Sequence, residues 1–238
     1  MCIRDRNKIV GVEALLRWKR EGELISPFHF IPCLEASGKI VEVGTWVLRT
    51  GCEQLFRWRL AGFNVRLSVN VSSLQIQQPS FADDVMELLN EFGLPASALD
   101  LEVTESLLLE HSEHTQRNIE RLAEQNVRFS IDDFGTGYSS LAYLKRLTVD
   151  RLKIDRSFIK DIPDEDDGVI AQTVITLGKQ LGMTVVAEGV ETDFQLEFLK
   201  QRGCDEYQGY FFSRPISAGD CSELFEREFN ENASAIKN

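Results

Sequence analysis

The chain has 238 residues, 43% of them apolar, enough to bury the core of one large domain. Against 26 Lys and Arg stand 38 Asp and Glu, a net charge of −12 that excludes the basic surface a nucleic-acid polymer or an anionic membrane requires. No apolar run approaches the ~18–20 residues of a membrane span. The opening MCIRDRNKIV is too polar for a signal peptide, and five scattered cysteines without a CxxC pair point to free thiols in a reducing cytoplasm.

Strand and helix patterns alternate along the chain. A strand over 8–16 (KIVGVEALL) precedes a helix over 43–62, then a strand over 65–71 (VRLSVNV) and a helix over 81–92. The strand over 99–105 (LDLEVTE) leads to a helix over 115–125, and the strand over 127–133 (VRFSIDD) runs directly into FGTGYSS. RLKID (151–155) is followed by a helix over 168–182, TVVAEGV (184–190) by a helix over 193–203, and DEYQGYFF (205–212) is the last strand. Repeated strand–helix units without a Ser/Gly/Pro-rich linker predict one domain, a parallel sheet covered by helices, with a barrel as the leading form. Seven strand candidates leave an eight-stranded barrel one short. The gap falls before Lys8, so residues 1–7 read as foreign to a domain over 8–229, with 230–238 as a tail.

In a βα barrel the chemistry gathers at the C-terminal ends of the strands. Those ends carry Asn70, Glu102 and Glu105, Asp132 and Asp133, Lys153 and Asp155, Glu188 and Glu191, and Gln208. Glu13 lies in the first predicted strand, with Arg17 four residues on. A single carboxylate at a strand end is ordinarily a helix cap or an exposed loop charge. Acids and amides from six strands at one rim demand cations, and hard oxygen donors select Mg2+ or Mn2+ over zinc. Two such ions, ~3.5–4 Å apart and bridged by an aspartate, suit phosphoester hydrolysis. They also account for Asp132 and Asp133 standing side by side, with Gly135 and Gly137 making FGTGYSS a mobile rim loop.

EALLRW (13–18), NVSSLQ (70–75), EVTES (102–106), DDFGTGYSSL (132–141), LKID (152–155), AEGVET (187–192) and QGYFFSRP (208–215) together resemble EAL-domain cyclic-di-GMP phosphodiesterases. The resemblance implies a TIM-like (β/α)8 barrel that hydrolyses cyclic-di-GMP to linear 5′-pGpG. On its terms Glu13, Asn70, Glu102 and Asp132 match ligands of a first metal, and Asp132 and Asp133 those reaching a second. Lys153 matches the residue that orients the attacking water, and Glu188 the general base or a further ligand. Gln208 and Glu191 complete the network around water and substrate, Arg17 matches a phosphate contact, and Glu105 matches an anchor for the DDFGTG loop.

The family's first strand, with its YQPI-like motif, has no evident counterpart ahead of Lys8. The expectation is therefore a barrel lacking that strand, marginal alone or closed as a homodimer, and drawn from a protein whose regulatory domains lie elsewhere. Two other readings compete. A cyclic-di-GMP receptor that binds without turnover fits poorly with the retention of every carboxylate, and an Mg2+-dependent enolase-type lyase leaves Arg17, Asn70 and the DDFGTG loop unexplained.

Overall fold

The computed structural model describes residues 1–4, 8–105, 107, 112–136, 148–162 and 167–235. The chain opens with β1 (Cys2–Arg4) and β2 (Lys8–Ala14), followed by a small antiparallel hairpin of β3 (Trp18–Arg20) and β4 (Glu23–Ile25). The remaining strands are β5 (Arg66–Asn70), β6 (Leu99–Thr104), β7 (Arg128–Phe134), β8 (Arg151–Ile154), β9 (Thr184–Ala187) and β10 (Glu206–Tyr207). Eight of these close a barrel in the order β1-β10-β9-β8-β7-β6-β5-β2. From β2 round to β10 through β5, every neighbouring pair is parallel, while β1 is antiparallel to both of its neighbours. Seven strands thus end at one rim.

Helices wrap the strands: α1 (Pro27–Ala36), α2 (Ile40–Leu60), α3 (Ser73–Ile76), α4 (Phe81–Glu91) and α5 (Glu113–Glu124) in the first half. The second half carries α6 (Ser157–Lys160), α7 (Asp167–Gln180), α8 (Asp193–Gln201) and α9 (Ala218–Ala235). The core lies between strands and helices, where Leu67, Leu101, Phe129, Ile131, Leu152 and Val185 are buried. The residues alternating with them, Ser68, Asp100, Glu102, Ser130, Arg151 and Lys153, are buried as well. They face the lumen, because successive strand side chains point to opposite faces. No helix among the described residues is long and apolar enough to cross a membrane. All five cysteines are free.

The structure corrects two expectations. The barrel does not lack a first strand. Cys2–Arg4 fills the gap, pairing Ile3 with Ile9 on one side and Tyr207 on the other, and Ile3 is fully buried. Three residues are too few for a periodic pattern, so only the closing of the sheet identifies them. The strand expected over 205–212 shrinks to Glu206–Tyr207, because the chain then turns across the neighbouring loop: Gln208 C=O accepts from the Val190 amide, and Phe211 N–H donates to the Val190 carbonyl. A Cβ on Gly209 would lie 2.1 Å from the Val190 oxygen, so this approach requires glycine. The last helix, α9, covers both sides of residue 230. Of the rim loop FGTGYSS, the part from Gly137 onward lies outside the described residues.

Candidate active site

Because every second strand residue enters the lumen, the patterns RLSVN, LDLEVT, RFSID, RLKI and EYQ each deliver polar groups at two depths. At the rim, Lys153 Nζ lies 2.8 Å from Glu102 Oε2, 3.0 Å from Asp132 Oδ1 and 2.7 Å from Glu188 Oε1. Glu13 Oε1 accepts from Asn70 Nδ2 at 2.8 Å, and its Oε2 accepts from Gln208 Nε2 at 2.6 Å. Register explains the grouping, since Asn70 stands opposite Glu102 and Thr104 opposite Asp132 on adjacent strands.

Asp133 has φ 52°, a left-handed conformation that aspartate tolerates better than most residues, and its N–H donates to Asp132 Oδ1 at 3.0 Å. Carboxylate oxygens of Asp132, Asp133 and Glu188 all lie within 4.8 Å of one another. Glu105, just beyond β6, is buried, and its Oε2 accepts the Gly135 N–H at 3.1 Å. Its Oε1 has no hydrogen-bond partner among the described residues.

Four carboxylates, Glu13, Glu102, Asp132 and Glu188, surround the single ammonium of Lys153, so the rim carries excess negative charge before Asp133 is counted. Burial pushes Glu102 well above the usual carboxylate range, and neighbouring Glu13 and Asp132 add to the effect against the pull of Lys153. Burial likewise pushes Glu188 up to about 7, and burial with the Asp132 and Asp155 charges pushes Asp133 to about 6. Glu13 moves the other way: burial opposes ionisation, but Lys153 and the amides of Gln208 and Asn70 outweigh it. Lys153 is held well above its ordinary value, since the carboxylates around it outweigh its burial.

A cleft of about 870 Å3 opens over this rim, lined by Glu13, Asp132, Glu188 and Gln208 and also by Arg17 and Glu191. The last two do not join the carboxylate network. Arg17 is exposed and donates to the Leu16 carbonyl at 2.9 Å, and exposed Glu191 is held through its N–H by Gln195 Oε1 at 2.7 Å. Sequence reasoning missed two further features. Tyr210 and Arg214 also line the cleft, with the guanidinium 4.6 Å from the ring centre, and their only signal was an aromatic four residues before an arginine.

The second is a deeper polar layer. Asp100 accepts from Ser130 Oγ at 2.7 Å and pairs with Arg151 Nε at 3.1 Å, and Glu206 pairs with Arg151 and, at 2.8 Å, with Arg66. Strict polar–apolar alternation in five strands was the available sign of it. Two guanidiniums balance two carboxylates there, whereas the rim above remains unbalanced. Hard oxygen donors in excess, converging at Asp132, Asp133 and Glu188, fit a divalent cation.

A TIM-like barrel with an acidic, lysine-bridged mouth is thus the class that fold and site define. The chain belongs to the EAL domain family, whose model matches residues 2–215. It is 46% identical over 216 residues to the cyclic di-GMP phosphodiesterase NbdA of Pseudomonas aeruginosa, covering 90% of this chain and 28% of that protein. It is 40% identical over 231 residues to the signaling protein YkoW of Bacillus subtilis, covering 96% of this chain and 28% of the relative. Among solved structures, a PaMucR phosphodiesterase in complex with c-di-GMP superposes with a TM-score of 0.88 at 42% identity, over 92% of this chain and 91% of that one. The chain spans under a third of the length of NbdA and of YkoW.

Proposed function

We propose that this chain hydrolyses cyclic-di-GMP to linear 5′-pGpG, as one module of a longer cytoplasmic signalling protein. The observation that carries the reading is the buried Lys153 ammonium, within 3.0 Å of carboxylates from three strand ends, two of which, Asp132 and Glu188, line the cleft. A phosphodiester resists attack because it is anionic, so its hydrolysis needs concentrated positive charge and a water that gives up its proton near neutral pH. Two divalent cations, Mg2+ or Mn2+, supply both when bound. Glu13, Asn70, Glu102 and Asp132 are assigned to hold the first and Asp132 and Asp133 the second.

The chain's own groups do the rest. Lys153 donates toward the attacking water and fixes its line of approach opposite the leaving 3′-oxygen. Glu188, its carboxylate within 4.8 Å of those of Asp132 and Asp133, takes the water's proton as general base or serves as a further ligand. Gln208 and Asn70 grip the two oxygens of Glu13 and so set its direction. Arg17 screens the phosphate from the cleft wall, with Glu191 on the substrate side. Glu105 anchors the loop that presents Asp133.

The test is incubation with cyclic-di-GMP and Mg2+ or Mn2+, with products separated by chromatography. Release of pGpG is expected, and Glu13→Ala or Asp132→Asn should nearly abolish it. Tight binding without product makes the domain a receptor instead, and neither binding nor product overturns the reading.

A further inference from the structure

We infer that Glu206 is a positioning residue, stapling the barrel's shortest strand so that Gln208 holds the Glu13 carboxylate in its working orientation. The inference deepens the hydrolase reading and rests on it. β10 has only two residues, with two register pairs to β9 and one to β1. Beyond that ladder the Gln208 backbone is tied on the β9 side alone, its N–H donating to the Ala187 carbonyl at 2.8 Å and its C=O accepting from the Val190 N–H at 3.1 Å, while its Oε1 accepts from Cys2 Sγ at 3.3 Å. Yet Gln208, one position beyond β10, must keep its amide 2.6 Å from Glu13 Oε2.

Glu206 adds ties that reach beyond these neighbouring strands. Its carboxylate is gripped from across the lumen by Arg66 of β5, at 2.8 and 3.0 Å, and by both terminal nitrogens of Arg151 of β8. Neither strand neighbours β10 in the barrel: β1 and β2 lie between it and β5, and β9 lies between it and β8. The staple therefore ties the weakest strand to two distant ones. It also sits directly under the site. Glu206 precedes Gln208 by two residues and Arg66 precedes Asn70 by four, so each shares a face with an amide above it. Those two amides are the pair that grips Glu13. On the other side Arg151 lies two residues before Lys153, and its partner Asp100 two before Glu102.

A purely structural network and a positioning staple differ in coupling. If Glu206 acts through Gln208, its removal costs nothing more once Gln208 is gone. The experiment is a double-mutant cycle on the full chain, with Mn2+ affinity measured by titration calorimetry and folding checked by thermal melting. Gln208→Ala is expected to weaken Mn2+ binding about tenfold, Glu206→Gln by a similar factor, and the double variant no more than the larger single loss. Losses that multiply to about a hundredfold overturn the proposal. So does either single variant that binds Mn2+ like the wild type.

Arg66→Lys, at the more accessible end of the network, carries the same test should Glu206→Gln fail to fold: its loss must also vanish in the Gln208→Ala background. Cyclic-di-GMP turnover separates the two claims. A wild-type chain that binds Mn2+ yet releases no pGpG sinks the hydrolase reading while the cycle still decides the staple, and a wild type that binds no Mn2+ sinks both.

Discussion

Replacing Lys153 with methionine keeps the length of the stem and removes the charge. Lys153 is 2% exposed, and its ammonium is 2.7–3.0 Å from three carboxylates. Taking away one partner of a buried ionic group costs about 3–5 kcal/mol, because the remaining charges are left uncompensated. At ~2–4 °C per kcal/mol for a domain of this size, melting in EDTA should drop by roughly 6–20 °C. Mn2+ should restore more stability to Lys153→Met than it adds to the wild type, since a bound cation replaces the lost charge. Turnover should fall about 10²–10³-fold, the loss expected for one donor aimed at developing charge, with KM changed only a few-fold. Calorimetry with and without Mn2+, alongside chromatographic detection of pGpG, measures both effects. A variant melting within about 2 °C of wild type in EDTA refutes the reasoning, because the carboxylates then do not depend on this cation. A raised KM at unchanged kcat would make Lys153 a phosphate contact instead.

Three further outcomes follow from the same geometry. Glu188 is raised by burial from 4.5 to about 7, so the folded state binds its proton more tightly. Stability from this group is complete below about pH 4.5 and lost as pH rises through 7; melting in EDTA should decline over that window and flatten under saturating Mn2+, and a rising profile in EDTA contradicts the assignment. Glu105→Ala removes the acceptor of the Gly135 N–H, so calorimetry should show weakened Mn2+ binding and assays a loss of about 10–100-fold; normal values for both would end its anchoring role. Ile3→Ala should cost about 2–5 kcal/mol in denaturant unfolding, as for other buried aliphatic truncations, whereas wild-type stability would mean that β1 does not help to close the barrel.

Much of the site was legible in the residues themselves. Polar groups at the ends of apolar β-branched runs placed Asn70, Glu102, Asp132, Lys153, Glu188 and Gln208 on one rim, because parallel strands of a barrel all finish on the same side. The excess of acids there called for divalent cations before any distance was known. Folding decided what depends on groups brought together from afar. Cys2–Arg4 became a strand only because a nearly closed sheet offered two edges to fill, and so short a segment has no period of its own. DEYQGYFF stopped being a strand at Tyr207 because Gly209 lets the chain press against the Val190 backbone. Arg66 and Arg151 lie 140 and 55 residues from Glu206 in sequence, so their pairing with it could be read only in three dimensions. Local pattern determines which residues line a barrel, while closure of the sheet determines which of them meet across it.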